Sequence, residues 1–282
     1  MIDYLTHYGY IAGNVQSMAI DSSTEDRIVT AALVEFQIAA GLPTTGVFDE
    51  ATQIKMSEPR CGCLDVSRAV LEWARWRKTS LKYFIEKRVT LAEVDELIAL
   101  AWADWMAVAN ITVVPTSSAT DADIVISTGS GRADGFDGPS GTLAWAYLPN
   151  GRDGQLLCRF DLAETWLKDS PQGGILFRNV ACHEFGHLLG LEHSRVSSAL
   201  MAPFYSPAIV SPKQSDDIPR IQGLYGKPTT PVPPGPKLPA NMLRLAKLLP
   251  AGVHGDFTLS SPMGAGDYLV LLAGDGPPPP IP

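Results

Sequence analysis

The feature that most constrains this chain of 282 residues is the string HEFGHLLGLEH at positions 183–193. His183 and His187 are separated by one helical turn, so on a helix both imidazoles project from the same face and can bind one metal ion. Gly190 can end that helix in a left-handed conformation and turn the chain back, so that His193 supplies a third nitrogen. Glu184 follows the first histidine directly, which places a carboxylate beside the ion.

Three protein ligands leave one coordination position for water, which is the arrangement of a catalytic zinc site, whereas structural sites are closed by four ligands. The chain has five histidines, three of them in this string, which disfavours the alternative of a polar helix with incidental histidines. The pattern therefore predicts metal-assisted hydrolysis. Glu184 is the residue expected to accept the proton of the attacking water and to pass it to the leaving group.

Composition and charge narrow the class of protein. Hydrophobic residues make up 45% of the chain, charged residues 18%, and the net charge is −8. This acidic balance argues against nucleic acid as a partner, because phosphate binding needs clustered Lys and Arg. No segment approaches the roughly 18 apolar residues of a membrane span, and the first residues, MIDYLTHYGYIAG, lack the regions of a secretory signal. Four cysteines are too few for a disulfide scaffold.

The pattern along the chain predicts a helical first part and then an α+β domain. In the first part, one helix ends at Gly41 and another is capped by Asp49. Thr90 and Glu93 form a capping-box pattern at the start of a later helix. The tryptophans at positions 73, 76, 102 and 105 are expected to pack in a core. The strands are predicted at 81–85, 111–114, 122–127, 142–148 and 156–160, and the later helices at 90–109, 174–190 and 215–225.

After Gly226 the sequence KPTTPVPPGPKLP predicts a semi-rigid polyproline linker. The segment that follows it is too short to sustain its own core, and its function is not readable from the sequence. The predicted divisions of the chain are a helical propeptide at 1–63, a catalytic domain at 64–226, the linker at 227–239 and a tail at 240–282.

The zinc motif matches H-E-x-x-H-x-x-G-x-x-H followed by a Met-turn, the metzincin signature, with Met201 in SALMAP as the Met-turn residue. Over residues 2–226 the chain resembles the matrix metalloproteinases, or matrixins. YLTHYGYI and FQIAAGLPTTGVFDEAT are similar to the family's helical propeptide, PRCG (59–62) to its cysteine switch, and DDIPRIQGLYG to its closing helix. The resemblance implies a metzincin catalytic domain, with a mixed twisted sheet and three helices. A small all-α, peptidoglycan-binding-like prodomain would precede it.

The switch implied by PRCG has a physical basis. A thiolate is a good zinc ligand, so Cys61 in the fourth coordination position would exclude the catalytic water. Arg60 could pair with a nearby carboxylate and hold the segment in the cleft. The alternative is a free surface thiol. Cys63 departs from the family pattern, and it could form an alternative bridge or serve as an oxidation partner for Cys61.

The chain also departs from the family at the second, structural zinc, which three histidines and one aspartate hold. Two of those positions are Trp145 and Arg159 here, and the loop that would supply the others is shortened to STGSGRADGFDG. Outside the catalytic motif only His7 and His254 remain. We therefore expect no structural zinc, with Trp145 filling the space by apolar surface.

A calcium site is expected in the segments FDGPSGT and FDLAE, because hard cations bind several oxygens of this kind. The alternative is an Asp-Gly turn with surface charges nearby. The candidate calcium residues are Asp137, Gly138, Ser140, Thr142, Asp161 and Glu164.

Two further sets follow from the resemblance. Pro203, Phe204 and Tyr205 match the segment that walls the main specificity pocket, with Asn179 toward its base. The aspartates at positions 216 and 217 match an acidic pair that ties the last helix to the Met-turn and the mature N-terminus. The simpler alternative for that pair is a helix N-terminus that favours negative charge.

These observations predict a latent zinc endopeptidase that acts on protein or peptide substrates after an activating protease removes the propeptide. By resemblance it is secreted, and we expect a monomer. A second hypothesis is a cell-wall or polymer-binding module with secondary or lost peptidase activity. A third, a metal-binding protein without catalysis, is disfavoured by Glu184, since zinc binding alone does not need it.

Overall fold

The computed structural model describes residues 1–12, 22–66, 75–151, 154–169 and 172–229. Most of the predicted linker, the tail and Trp73 lie outside the described residues, so their predictions stay untested.

The first part of the chain is all-α, as predicted. Its core joins Leu5 and Tyr8 to Leu33 and Phe36. The second helix ends near Gly41, which has a φ of +69°, and the Asp49 carboxylate caps the third helix. Both boundary predictions are confirmed. The three helices are α1 (Ile2–His7), α2 (Ser22–Ala39) and α3 (Glu50–Met56).

The second part contains a mixed six-stranded sheet with the order β1-β5-β6-β4-β2-β3. Strand β5 runs antiparallel to β6, and the other neighbouring strands are parallel. Strand β1 lies at one edge, although its residues follow the helical first part directly. The strands are β1 (Arg60–Cys61), β2 (Ser80–Ile85), β3 (Thr112–Pro115), β4 (Ile124–Gly129), β5 (Thr142–Ala146) and β6 (Leu156–Asp161).

Three helices accompany this sheet, which confirms the predicted α+β architecture. Trp102 of α4 stacks on Phe185 of α5 with ring centroids 4.0 Å apart. The Trp105 indole donates to the carbonyl of Cys182 at 2.8 Å, so α4 is joined to α5 by packing and by a hydrogen bond. Trp76, Trp102 and Trp105 are buried, as predicted. The helices are α4 (Val94–Met106), α5 (Phe177–Leu188) and α6 (Asp217–Tyr225).

The predicted capping box at Thr90 and Glu93 is wrong, because α4 begins at Val94. Glu93 has a φ of +60°, which breaks the helical run, and its side chain forms no cap. The Glu93 carboxylate pairs instead with Lys168, far away in sequence. A partner brought in by the tertiary fold therefore overrides the local pattern.

Helix α5 starts later than predicted, because Ile175 and Leu176 pair as strand β8 (Ile175–Leu176) with strand β7 (Trp166–Leu167). In the part of the chain that the structure describes, no helix combines the length and the apolar character that crossing a membrane requires.

Candidate metal centre

Helix α5 carries His183 and His187, and both side chains are buried. The helix ends at Leu188, and Gly190 then takes a φ of +100°, which confirms the predicted left-handed turn. The turn brings His193 back to the other two rings, with ring centroids 5.3 Å from His183 and 4.8 Å from His187. The donor atoms of the three histidines and of Cys61 lie within 4.8 Å of one another.

The hydrogen bonds of the three rings decide which nitrogen faces the centre. Because carbonyl and carboxylate oxygens only accept, each ring carries its proton on Nδ1 and presents an unprotonated Nε2. The Nε2 atoms of His183 and His193 are buried without a hydrogen-bond partner. Three lone pairs that converge without protons fit a divalent metal ion. The Nδ1 acceptors, each at 2.7 Å, are the Leu200 carbonyl for His183, the Leu191 carbonyl for His187 and the Asp65 carboxylate for His193.

Burial keeps these imidazoles neutral, as ligation requires. Burial, and after it the closeness of the His193 ring, which disfavours a second positive charge, lower the pKa of His183 to about 3. Burial also lowers the pKa of His187 and of His193. Glu184 is fully buried beside the ligands, and burial raises its pKa to about 8. Its two carboxylate oxygens form no regular hydrogen bond, although the nearby Cys61 thiol acts to lower that pKa.

Met201 packs against Gly186 of helix α5, the helix that carries His183 and His187. Its backbone N–H and that of Leu200 donate to the Asp217 carboxylate at 3.0 and 2.8 Å. Asp217 is the first residue of α6, so the predicted tie between the last helix and the Met-turn segment is present. This tie fixes the Leu200 carbonyl, which is the acceptor for His183.

Residues 59–62 lie in the cleft as an extended segment bonded on both sides. On one side they pair with the edge of β5, and on the other with the segment that contains Pro203. Gly62 is required by close approach, because a Cβ there would lie 2.6 Å from the Thr142 side chain. The backbone bonds are Arg60 N to Gly141 O at 2.7 Å, Gly62 N to Ala144 O at 2.8 Å, Cys61 N to Pro203 O at 2.9 Å and Tyr205 N to Pro59 O at 2.9 Å.

This segment places Cys61 against the histidines, with its Sγ 3.4 Å from the Nε2 of His187. The side chain is buried, which excludes the alternative of a free surface thiol for this form of the chain. Burial raises the pKa of the Cys61 thiol. The thiolate form of Cys61 therefore needs a cation close to it.

The predicted pairing of Arg60 with a carboxylate is confirmed, and the partner is Asp65 at 2.5 Å. Both side chains are buried, and Arg60 also donates to the Tyr4 hydroxyl at 2.7 Å. Burial acts to raise the pKa of Asp65, but Arg60 and His193 outweigh it and hold that pKa well below its usual range. Asp65 was not predicted as a site residue from the sequence. The one signal for it there is that it follows PRCG by three residues.

The four cysteines, all within the described ranges, are free and buried. Cys63 donates its backbone N–H to the Cys61 sulfur at 3.3 Å, and its thiol faces the Ala146 carbonyl at 3.2 Å. The bridge proposed for Cys63 is therefore not formed here, and its role as an oxidation partner stays a hypothesis.

The residues expected to bind calcium are brought together. Asp137 accepts from the N–H of Thr142 at 2.9 Å, and Ser140 has a φ of +67°, unusual for a non-glycine residue. Burial, together with the nearby carboxylates of Asp161 and Asp137, raises the pKa of Glu164 to about 7. One oxygen each of Asp161 and Glu164 is buried without a hydrogen-bond partner.

Among the described residues, only the histidine centre and its immediate neighbours bring three metal-binding side-chain atoms within 4.8 Å of one another. The acidic loop is thus not a preformed cage of side chains. Thr142 uses its hydroxyl for a 3.2 Å contact with Tyr8 of the first part.

The predicted pocket residues line a small cavity of about 30 Å³ beside His183 and Glu184. Phe204 faces the helical part, with its ring centroid 6.3 Å from that of Phe36. The lining includes Asn179, Pro203, Phe204 and Tyr205.

Trp145 was expected to fill space with apolar surface, but it also forms a hydrogen bond. Its indole donates to the Asp134 carbonyl at 2.8 Å, and the Asp134 carboxylate pairs with Arg159. The ring borders a cavity of about 680 Å³ together with Tyr147. The indole N–H thus joins a polar cluster that sequence reasoning did not foresee.

A mixed sheet, a helix carrying HEFGH, and a third histidine after a glycine turn are the features of the metzincin class. Residues 75–226 match the family model described as "Matrixin", and residues 3–56 match that of "Putative peptidoglycan binding domain". The chain belongs to the matrixin family.

Individual relatives agree with this assignment. Matrix metalloproteinase-19 of Mus musculus is 38% identical over 80% of this chain and 44% of the relative. The human protein of the same name is 34% identical over 99% of this chain and 58% of the relative. The interstitial collagenase of Equus caballus is 40% identical over 73% and 45%. The chain spans about half the length of these relatives.

The close approach of α5 to Met201 can be tested by replacing Gly186 with alanine. A Cβ there would lie 2.3 Å from the Met201 sulfur and 2.8 Å from the Trp105 ring. The ring cannot retreat, because it is fully buried and hydrogen-bonded. We expect Gly186→Ala to lower the free energy of unfolding by about 1–3 kcal/mol, measured by chemical denaturation.

Gly223→Ala is the matched control, because a Cβ at this exposed helical position meets nothing within 4 Å. It should stabilise the chain by up to about 1 kcal/mol through helix propensity. Equal effects of the two substitutions would contradict the packing described here.

Proposed function

We propose that the chain is a zinc endopeptidase made in a latent form. The observation that carries the proposal is the convergence of three unprotonated Nε2 atoms beside the buried carboxylate of Glu184. His183, His187 and His193 would hold the zinc ion, and membership of the matrixin family supports this choice of metal.

Zinc, when bound, supplies a Lewis acid that makes water acidic and polarises a carbonyl. Glu184 lies beside the ligand histidines. It would accept a proton from the attacking water and deliver that proton to the nitrogen of the leaving amine.

The substrate would bind where residues 59–62 now lie. An extended peptide could pair with the edge of β5 through main-chain hydrogen bonds, as strand addition generally does. The side chain next to the cleaved bond would enter the cavity near Asn179 and Tyr205. That cavity holds about one water molecule in this form, so its wall at Pro203 and Phe204 would move when the propeptide leaves.

Latency follows from the same geometry. Cys61 would supply the fourth ligand of the ion. The backbone of residues 59–62 fills the cleft and is hydrogen-bonded to both of its walls. An activating protease would remove the propeptide, and the protein would be secreted and would act as a monomer. The match to a peptidoglycan binding domain does not favour a polymer-binding role here, because Tyr8 and Phe36 of this part contact the catalytic part.

We further propose calcium in the loop of Asp137, Ser140, Asp161 and Glu164. The mutual repulsion of its three carboxylates and the buried, unpartnered oxygens of Asp161 and Glu164 support this proposal. We propose no second, structural zinc. The cluster of Asp134, Trp145 and Arg159 supports this, because hydrogen bonding and an ion pair cross-link that region instead.

Glu184→Gln should lower kcat/KM by about 10²–10⁴-fold after propeptide removal, because the amide cannot accept the proton. Zinc content should be unchanged, since Glu184 is not a ligand. A peptide-cleavage assay and elemental analysis measure the two quantities. Glu192→Gln, the same chemical change at an exposed position, should retain most activity. Substantial turnover by the Glu184 variant would refute its role.

Cys61→Ser should give peptide cleavage by the uncleaved chain, because a hydroxyl is a far weaker zinc ligand than a thiolate. The assay is performed on full-length protein whose mass is verified before and after. Cys63 lies close enough to be a substitute ligand, so the Cys61→Ser/Cys63→Ser double variant is made in parallel. If neither variant gains activity, the switch assignment is wrong.

Calcium should raise the Tm more at pH 7 than at pH 5. Without the cation the folded-state pKa of Glu164, about 7, exceeds the ordinary 4.5. The native chain then binds more protons than the unfolded chain, so stability falls as pH rises between these values. Calcium removes that loss by stabilising the carboxylate.

The measurement is a thermal melt with and without calcium at constant zinc. Glu164→Gln should remove the pH dependence of the calcium effect. A calcium-induced rise in Tm that is equal at both pH values would contradict the site.

A further inference from the structure

The oxygens that accept hydrogen bonds from the Nδ1 atoms of the three ligand histidines belong to two different parts of the chain. Those of His183 and His187 are carbonyls of the catalytic part, Leu200 and Leu191. The acceptor of His193 is the side chain of Asp65, which follows the switch cysteine Cys61. One ligand of the metal centre is therefore oriented by a residue of the inhibitory segment.

Asp65 is held by the prodomain rather than by the catalytic part. Its backbone N–H donates to the Tyr8 carbonyl at 3.0 Å, and the N–H of Val66 faces the same oxygen at 3.4 Å. Its second carboxylate oxygen accepts from the Tyr10 hydroxyl at 2.7 Å. Contacts with the prodomain thus continue to Val66, past the boundary predicted after Cys63. A cleavage that frees the cleft is expected beyond Val66, and it would remove Asp65 with the propeptide.

We propose that Asp65 is a positioning residue for the zinc ligand His193, so that the propeptide helps to retain the metal ion in two separate ways. Cys61 supplies a fourth donor, and Asp65 fixes the ring of His193 with Nε2 toward the centre. Residues that accept from the far nitrogen of a ligand histidine fix its tautomer and increase its basicity. The latent chain then retains zinc more firmly than the chain without its propeptide, by more than the loss of the thiolate explains.

This inference rests on the proposed function, since it assumes that the histidine centre binds zinc. It competes with a simpler account in which Asp65 only neutralises Arg60 and thereby seats Cys61. In that account Asp65 affects the metal only through the thiol. The experiment must therefore separate an action through His193 from an action through Cys61.

All variants are made as full-length chains in the Glu184→Gln background, so that the protein cannot cut itself. Zinc stoichiometry is measured first, and absence of bound zinc would contradict the proposed function rather than this inference. The rate of zinc transfer to a chromogenic chelator is then measured at fixed pH. Asp65→Asn should weaken zinc retention by about 10–100-fold.

Tyr10→Phe is the matched control, because it removes a partner of the other carboxylate oxygen and leaves the contact with His193 intact. Its zinc release should be close to that of the parent chain. Asp65→Glu keeps the negative charge beside Arg60 but displaces the oxygen by one methylene. It should also release zinc faster, and it provides the test if Asp65→Asn does not fold.

The Asp65 substitution is repeated with Cys61→Ser. If Asp65 acts through His193, Asp65→Asn still accelerates zinc release in that chain. Nuclear magnetic resonance of histidine-labelled protein should show one Nδ1–H signal that moves in Asp65→Asn, while those bonded to backbone carbonyls stay in place. Loss of the effect in the Cys61→Ser chain, or no displaced signal, overturns the proposal.

Discussion

The position of one proton on each of three imidazoles is the constraint on which the rest of the site depends. A histidine can bind zinc through Nε2 only if that nitrogen is unprotonated, so each Nδ1 needs an acceptor at hydrogen-bond distance. The Leu200 carbonyl meets this need for His183, and the carboxylate of Asp217 holds Leu200 in place. A short series of hydrogen bonds therefore connects the last helix to the metal centre.

The inhibitory segment, residues 59–65, is held by main-chain hydrogen bonds of the kind that a bound peptide would form, and also by a buried ion pair. It pairs with β5 and with the opposite wall, and it places the ion pair of Arg60 and Asp65 in a buried position. A buried ion pair is costly unless its remaining hydrogen-bonding capacity is satisfied. The hydroxyls of Tyr4 and Tyr10 help to satisfy it here. Because loss of one partner would leave a buried charge, the segment is expected to dock or leave as a unit.

The parts of the site that the sequence predicted are those determined by local spacing. One helical turn between His183 and His187, and a glycine that can take positive φ, place three ligands without knowledge of the remaining fold. Asp65 could not be found in this way, because its contact with His193 spans 128 residues and is formed by the tertiary fold. The failed capping box at Glu93 has the same cause, since Lys168 reaches it through the tertiary fold. The strands and the α+β class were predictable from alternation, but the position of β1 at the sheet edge was not.

Cys63, the second cysteine of the switch segment, contributes to the switch through its backbone N–H rather than through its thiol. The N–H of Cys63 points at the Cys61 sulfur, and a donor to a thiolate favours the charged form. Gly62 makes this turn possible, because a side chain there would collide with Thr142. Any residue with a free N–H could supply the donor, whereas proline could not. The unusual residue at position 63 is therefore compatible with the switch, and its thiol adds a contact with the Ala146 carbonyl that the switch itself does not need.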